Sequence, residues 1–185
     1  GFLFAWQYGF LSPEGSGSKR SGIAKIGGPF TLTDHNGVSR TEMDYRGKYL
    51  LVYFGFTFCP DVCPTALQIM TVALTKLGKK ADLIQPVFIT IDPERDTESV
   101  LKEYISNFHP NFIGLTGKPE QIRKAAQTYR VYFRKAEPKN SKSSKDYLMD
   151  HSSIIFLMSK KGQYLTHFSH KTTPSQMAAK LETFF

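Results

Sequence analysis

Apolar positions recur along this chain with two spacings, and the change of spacing marks where strands give way to helices. The run YLLVYFGF, residues 49–56, is continuously apolar and aromatic, the pattern of a strand buried on both faces. Beyond Pro64, TALQIMTVALTKLG takes up helical spacing: Leu67, Met70, Leu74 and Leu77 share one face, and Gly78 offers a stop. The alternation then repeats. PVFITID predicts a second buried strand. DTESVLKEYISNF predicts a helix with Asp96 as N-cap and Val100, Leu101, Tyr104, Ile105 and Phe108 as its apolar face. FIGL is a short strand, and KPEQIRKAAQTY is a helix with proline near its start. VYF reads as another strand, SSIIFLMS and QYLTHF as two strands joined at Lys160-Lys161-Gly162, and TPSQMAAKLETFF as a final helix.

An alternating segment precedes all of this. GGPFTLTDHNGVSRT carries Asn36-Gly37, a hairpin signal. A hairpin, three strand–helix units, then strands and a last helix predict an α/β fold with a mixed central sheet. Ligands of such sheets gather at the carboxyl ends of the strands. The segment FGFTFCPDVCPTAL falls there, directly after the first long buried strand.

Two stretches carry no periodicity. RKAEPKNSKSSKD, between Phe133 and Tyr147, is polar and lysine-rich, so an exposed loop is expected, either simply solvated or a docking surface. At the start, GFLFAWQYGFL is apolar and aromatic, and SPEGSGSKRSG after it has linker composition. No run reaches the roughly 18–20 apolar residues that span a bilayer. The aromatic start suits either the end of a membrane anchor or a terminal segment packed on the domain. The expected division is 1–26 as segment and linker, and 27–185 as one domain.

Composition narrows the partners. The 185 residues are 41% hydrophobic and 22% charged, ordinary for a globular protein. The net charge is +8, but basic residues are spread along the chain without a nucleic-acid motif, so no nucleic-acid partner is expected. Two cysteines exclude a disulfide scaffold.

Those cysteines, Cys59 and Cys63, are separated by three residues, and a proline follows each. A thiol redox pair, a metal clamp and a structural disulfide are all open. Proline disfavours helical backbone in the residue before it, so Cys59 is expected in a loop and Cys63 at the helix N-cap, with Pro64 at the first helical position. A helix N-terminus favours negative charge, which predicts a lowered Cys63 thiol pKa. A turn of this length brings two sulfurs within reach of a disulfide or of one metal. Thioredoxin-type redox pairs are spaced one residue closer. Two thiolates select soft ions: structural zinc wants four protein ligands and a cluster wants four cysteines, so copper(I) fits a two-cysteine chain best. A third ligand would come from His35, His109, His151, His167 or His170. His151 stands out in YLMDHSSIIFL because it immediately precedes an apolar strand whose start would lie beside the cysteine loop.

GGPFTL, YFGFTFCPDVCP, ITIDPERDT, GLTG, YRVYF and YLMDHSSIIFLM, in order from about Gly27 to the C-terminus, together resemble the Sco (SenC-like) family of copper-binding assembly factors for cytochrome c oxidase. The resemblance implies a thioredoxin-like fold with an extra N-terminal β-hairpin and an inserted loop, tethered by one N-terminal transmembrane helix. It implies copper, Cu(I) or Cu(II), on Cys59, Cys63 and His151, and delivery to the dinuclear copper centre of oxidase subunit II. A further copper chaperone would be the donor, and the domain would face the mitochondrial intermembrane space or the bacterial periplasm. Some members are assigned a thiol-reducing role on that subunit's cysteines. Phe58 departs from the pattern, standing where many relatives have histidine.

Three acids lie near the expected site. Asp150 is placed to orient His151 or to start a strand, Asp92 to approach the motif or to form a turn with Pro93, and Asp61 to cap the helix or repel anions. The competing functions are a copper metallochaperone, a thiol–disulfide oxidoreductase using Cys59 and Cys63, a peroxiredoxin-like peroxidase and a domain with a mere staple. The peroxidase ranks low because such enzymes place threonine three residues before the cysteine, whereas Thr57 is two before Cys59.

Overall fold

The computed structural model describes residues 25–136 and 147–185. The aromatic N-terminal segment, its linker and residues 137–146 of the lysine-rich stretch lie outside them. The elements are β1 (Thr31–Asp34), β2 (Ser39–Thr41), β3 (Tyr49–Gly55), α1 (Val62–Leu77), β4 (Ile84–Thr90), α2 (Glu98–Ile105), β5 (Ile113–Thr116), α3 (Pro119–Thr128), β6 (Phe133–Ala136), β7 (Leu148–His151), β8 (Ile154–Met158), β9 (Tyr164–Ser169) and α4 (Pro174–Glu182). Seven strands form one mixed sheet in the order β2-β1-β5-β4-β3-β8-β9, and β6 with β7 makes a separate ribbon.

The continuous apolar run explains the centre. β3 pairs parallel with β4 on one side and antiparallel with β8 on the other, and every side chain from Leu50 to Phe54 is buried. Leu67, Met70, Leu74 and Leu77 of α1 are all buried, and Gly78 closes the helix at φ 57°, a left-handed value that suits glycine. The N-terminal hairpin adds an edge to the sheet: β1 pairs antiparallel with β2 and with β5. Gly37 takes φ 80° in its turn, as the Asn-Gly pair requires.

Three details differ from expectation. The α2 N-cap is Thr97, whose hydroxyl accepts from Val100 N, while Asp96 turns inward and is fully buried. Arg134 and Lys135 belong to β6, which starts at Phe133, and are not loop residues. They pair with Asp150 and Met149 of β7, a strand that polar composition hid. No helix among the described residues is long and apolar enough to cross a membrane.

Candidate metal centre

The site is built where β3 ends. Glycine is needed there for space: a Cβ on Gly55 would sit 2.8 Å from Cys63 Sγ and 2.9 Å from atoms of Phe88 and Tyr53. The chain then turns through Thr57 and Phe58, and Cys59 N donates to Phe56 O at 3.2 Å.

Helix α1 starts two residues earlier than the prolines suggest. Asp61 is the N-cap, without a side-chain capping bond, and Cys63 lies inside the first turn. Proline fits at position 64 because N–H groups of a first turn have no intrahelical acceptor; the first bond of the ladder, Thr65 N to Asp61 O, comes one residue later. This shift reverses the expected thiol assignment. Cys63 N–H points at Cys59 Sγ (3.5 Å), so the anion-favouring helix end serves Cys59. The Cys59 thiol is pulled down to about 4, first by its bond with Cys63, against burial, and helped by His151 and the N–H groups of Asp61 and Cys63. The Cys63 thiol is pushed up by its bond to Cys59 and by burial. Cys63 is buried, while Cys59 is partly exposed.

Two further groups reach Cys63. The Tyr53 hydroxyl donates to its Sγ at 3.7 Å and lies 3.3 Å from Ser153 Oγ. Burial raises the Tyr53 pKa, which keeps that hydroxyl a donor. His151 closes the site from the last position of β7, with Nε2 3.3 Å from Cys63 Sγ. Its Nδ1 lies 2.9 Å from the carbonyl of Ser152. A carbonyl only accepts, so Nδ1 carries the proton and Nε2 is left with its lone pair toward the sulfurs. Phe56 and Tyr53 hold the ring edge-on, with centroids 5.8 and 6.1 Å away.

The two Sγ atoms and a ring nitrogen of His151 all lie within 4.8 Å of one another, and among the described residues no other such trio of metal-capable side chains occurs. Metal–sulfur bonds are about 2.3 Å, so two thiolates on one ion sit at most ~4.6 Å apart. Small side-chain adjustments bring all three donors onto one ion. Two thiolates with one imidazole make a soft, low-coordinate set suited to copper.

The other candidates are placed elsewhere. The Asp150 carboxylate meets Arg134 at 3.1 Å, and both side chains are exposed. Asp92 is buried and accepts from the Tyr147 hydroxyl and from Arg95 Nε, each at 2.6 Å. Arg95 in turn covers the exposed Phe58 ring, 4.5 Å from its centroid, so the Asp92 carboxylate meets the cysteine loop indirectly, through that stack. His35 accepts from Gly114 N and His109 from Asn111 N, both structural bonds, and His167 pairs with Tyr164. Sequence reasoning missed Tyr53, Gly55 and Asp96. A glycine ending an apolar strand was the available signal for Gly55.

A family model described as SCO1/SenC matches residues 18–185. The mitochondrial protein SCO2 of Saccharomyces cerevisiae is 44% identical over 153 residues, 82% of this chain and 50% of the yeast protein. The human mitochondrial SCO1 homolog is 40% identical over 160 residues, 85% of this chain and 52% of its own length. The chain thus spans about half the length of these two relatives. The structure of Bradyrhizobium japonicum ScoI with copper bound superposes at TM-score 0.79 and 44% identity, covering 86% of this chain and 99% of that one. The α/β fold is therefore thioredoxin-like, as in those proteins, and with a family match across nearly the whole sequence, this chain belongs to the SCO1/SenC family.

Proposed function

We propose that this chain is a copper metallochaperone, carrying one copper ion on Cys59, Cys63 and His151 and helping to assemble the dinuclear copper centre of cytochrome c oxidase subunit II. The observation that carries the proposal is the convergence of two thiols and an imidazole within 4.8 Å at the carboxyl end of the central strands. Copper here is cargo, and the burial gradient suits cargo. Cys63 is buried, whereas Cys59 and His151 reach solvent, so an incoming acceptor ligand meets those two first. A second copper chaperone is the donor in this reading. Residues 1–26 act as the end of a membrane anchor and its linker, and 27–185 as the copper domain. The domain then faces the intermembrane space or the periplasm, consistent with the mitochondrial names of its relatives.

One observation favours a second reading, thiol–disulfide exchange with the same subunit. Cys59 combines partial exposure with a thiol held near 4, the profile of an attacking sulfur, and buried Cys63 stands beside it as the resolving one. Cys59 thiolate would attack a partner disulfide and release one partner thiolate. Cys63, losing its proton, would then displace the second, leaving a Cys59–Cys63 disulfide and a partner reduced by two electrons.

Anaerobic titration of reduced protein with Cu(I) tests the first reading. One tight equivalent per chain is expected, lost in both Cys59→Ala and Cys63→Ala. His151→Ala keeps a native circular dichroism spectrum but binds Cu(I) more weakly and loses or alters its copper(II) absorption. Protein oxidised to the disulfide takes up little Cu(I) until reduced. Wild-type affinity in either cysteine variant would sink the three-ligand site, and disulfide reduction without copper uptake would favour the second reading.

A further inference from the structure

Asp96 is fully buried, lies outside the metal trio and forms no salt bridge with any described lysine, arginine or histidine. A carboxylate in that position costs free energy unless its oxygens are well bonded. Its bonds are specific. Oδ1 accepts from Thr57 Oγ1 at 2.5 Å, and Oδ2 accepts from Thr57 N at 3.0 Å and from Thr90 Oγ1 at 2.7 Å. The backbone of Asp96 is fixed as well: its N–H donates to Asp92 O and its carbonyl accepts from Thr116 Oγ1. Asp96 is therefore anchored to the end of β4 by its carboxylate and to the end of β5 by its backbone, and two of the carboxylate's three bonds go to one residue of the cysteine turn, two positions before Cys59.

That turn needs an external clamp. Residues 56–60 belong to no strand or helix, Cys59 N is bonded within the turn, and Asp61 supplies no side-chain cap to α1. Cys63 is held by its helix, by Tyr53 and by His151, whereas the position of Cys59 depends on the turn.

We infer that Asp96 is a positioning residue for the metal centre, its carboxylate clamping Thr57 so that Cys59 Sγ is held in register with Cys63 and His151. The copper arm of the inference rests on the function proposed above; the thiol arm does not. Loosening the clamp lowers the effective concentration of one sulfur beside the other, which weakens both a shared metal bond and a Cys59–Cys63 disulfide.

The experiment compares Asp96→Asn, Thr57→Val and Thr90→Val with wild type. Asn keeps the size of Asp96 but turns an amide NH2 toward donors. Thr57→Val removes one bond from the clamp on the turn. Thr90→Val removes a fully buried bond to the same carboxylate, and with it the acceptor of Asp92 N, while leaving both bonds to Thr57 in place, and so controls for general loosening. Two quantities are read. Cu(I) affinity, by competition with a chromophoric chelator, is expected to fall about tenfold in Asp96→Asn and Thr57→Val, as for other residues that support metal ligands. The thiol–disulfide potential of copper-free protein is measured in a dithiothreitol buffer, whose oxidised form accepts two electrons and two protons as the Cys59–Cys63 bond forms. A tenfold less favourable disulfide raises that potential by about 30 mV in the same two variants. Thr90→Val, which loosens the anchor of the carboxylate but not its bonds to the turn, is expected to shift both by less than Thr57→Val does. If Asp96→Asn does not fold, Thr57→Val carries the test. Wild-type values in Thr57→Val, or an equal shift in Thr90→Val, would overturn the positioning role. Failure of wild-type protein to bind Cu(I) would instead overturn the copper reading and leave the potential shifts to judge the clamp.

Discussion

Asp34 and Asp96 each hold a turn by accepting N–H groups on a buried carboxylate, yet their surroundings are opposite. In the N-terminal hairpin, Asp34 Oδ1 accepts from Asn36 N and Val38 N at 2.8 and 3.0 Å, and Oδ2 accepts from Arg40 Nε at 2.8 Å. Burial pushes its pKa up, but Val38, Arg40 and Asn36 outweigh that and hold the carboxyl below its ordinary range. At the cysteine turn, burial of Asp96 outweighs Thr57 and Thr90, the Asp92 charge adds to it, and the carboxyl is pushed above that range. The hairpin neutralises its own anion within seven residues of sequence. The cysteine turn is clamped from 39 residues away, and among the described residues no cation pairs with the clamping carboxylate. One arrangement is a self-contained structural turn; the other subordinates electrostatic comfort to the placement of Cys59.

The largest effect expected from breaking this contrast is on the hairpin. Asp34→Ala removes two backbone hydrogen bonds worth about 1 kcal/mol each, so stability falls by ~2 kcal/mol. Urea denaturation reads that loss. Cu(I) affinity and the thiol–disulfide potential stay at wild-type values, because among the described residues no hydrogen bond or ion pair joins the hairpin to the cysteine turn. A shift in either would erase the distinction between the two aspartates.

The pH dependence is a smaller effect and has opposite signs. Asp34 has a lowered folded pKa, so its stabilisation is complete above the unfolded value near 3.8 and is lost as pH falls through that value toward the folded one. Asp96 has a raised folded pKa, so folding favours its protonated form. Its cost is absent below 3.8 and grows as pH rises from there through the folded pKa. Denaturation midpoints measured across this range should lose their acid-side fall in Asp34→Asn and their rise-dependent cost in Asp96→Asn. Identical pH profiles for the two variants would show that Arg40 does not separate them.

The same contrast explains what could be read from sequence. The Asn36-Gly37 hairpin, the run of β3 and the apolar face of α1 are local patterns, and the structure has them. The convergence of Cys59, Cys63 and His151 was legible because the motif named the cysteines and His151 borders an apolar strand. The clamp was not, because Asp96 before Thr97 looks like an N-cap, and only the folded sheet brings it to Thr57. The start of α1 was misplaced for a local reason, since proline disfavours helix in the preceding residue but is harmless within a first turn. The β6–β7 ribbon was hidden because its outer face is polar and exposed, so its alternation carried little hydrophobic contrast.

That ribbon supplies the smallest expected effect. Neighbouring residues of a strand point to opposite faces. His151 faces the cysteines, so Asp150 faces away from them, opposite Arg134 in the ladder. The ion pair there is 3.1 Å long, with side chains 66% and 51% exposed, so water already solvates both charges and the pair adds little. Arg134→Ala and Asp150→Asn are expected to leave the denaturation midpoint within experimental error, and Asp150→Asn to leave Cu(I) affinity unchanged. The imidazole is oriented by the Ser152 carbonyl, a backbone group that neither substitution removes. A loss of affinity in Asp150→Asn comparable to that expected for Asp96→Asn would mean that an exposed carboxylate also sets the ligand geometry. The contrast between a buried clamp and a solvated pair would then fail.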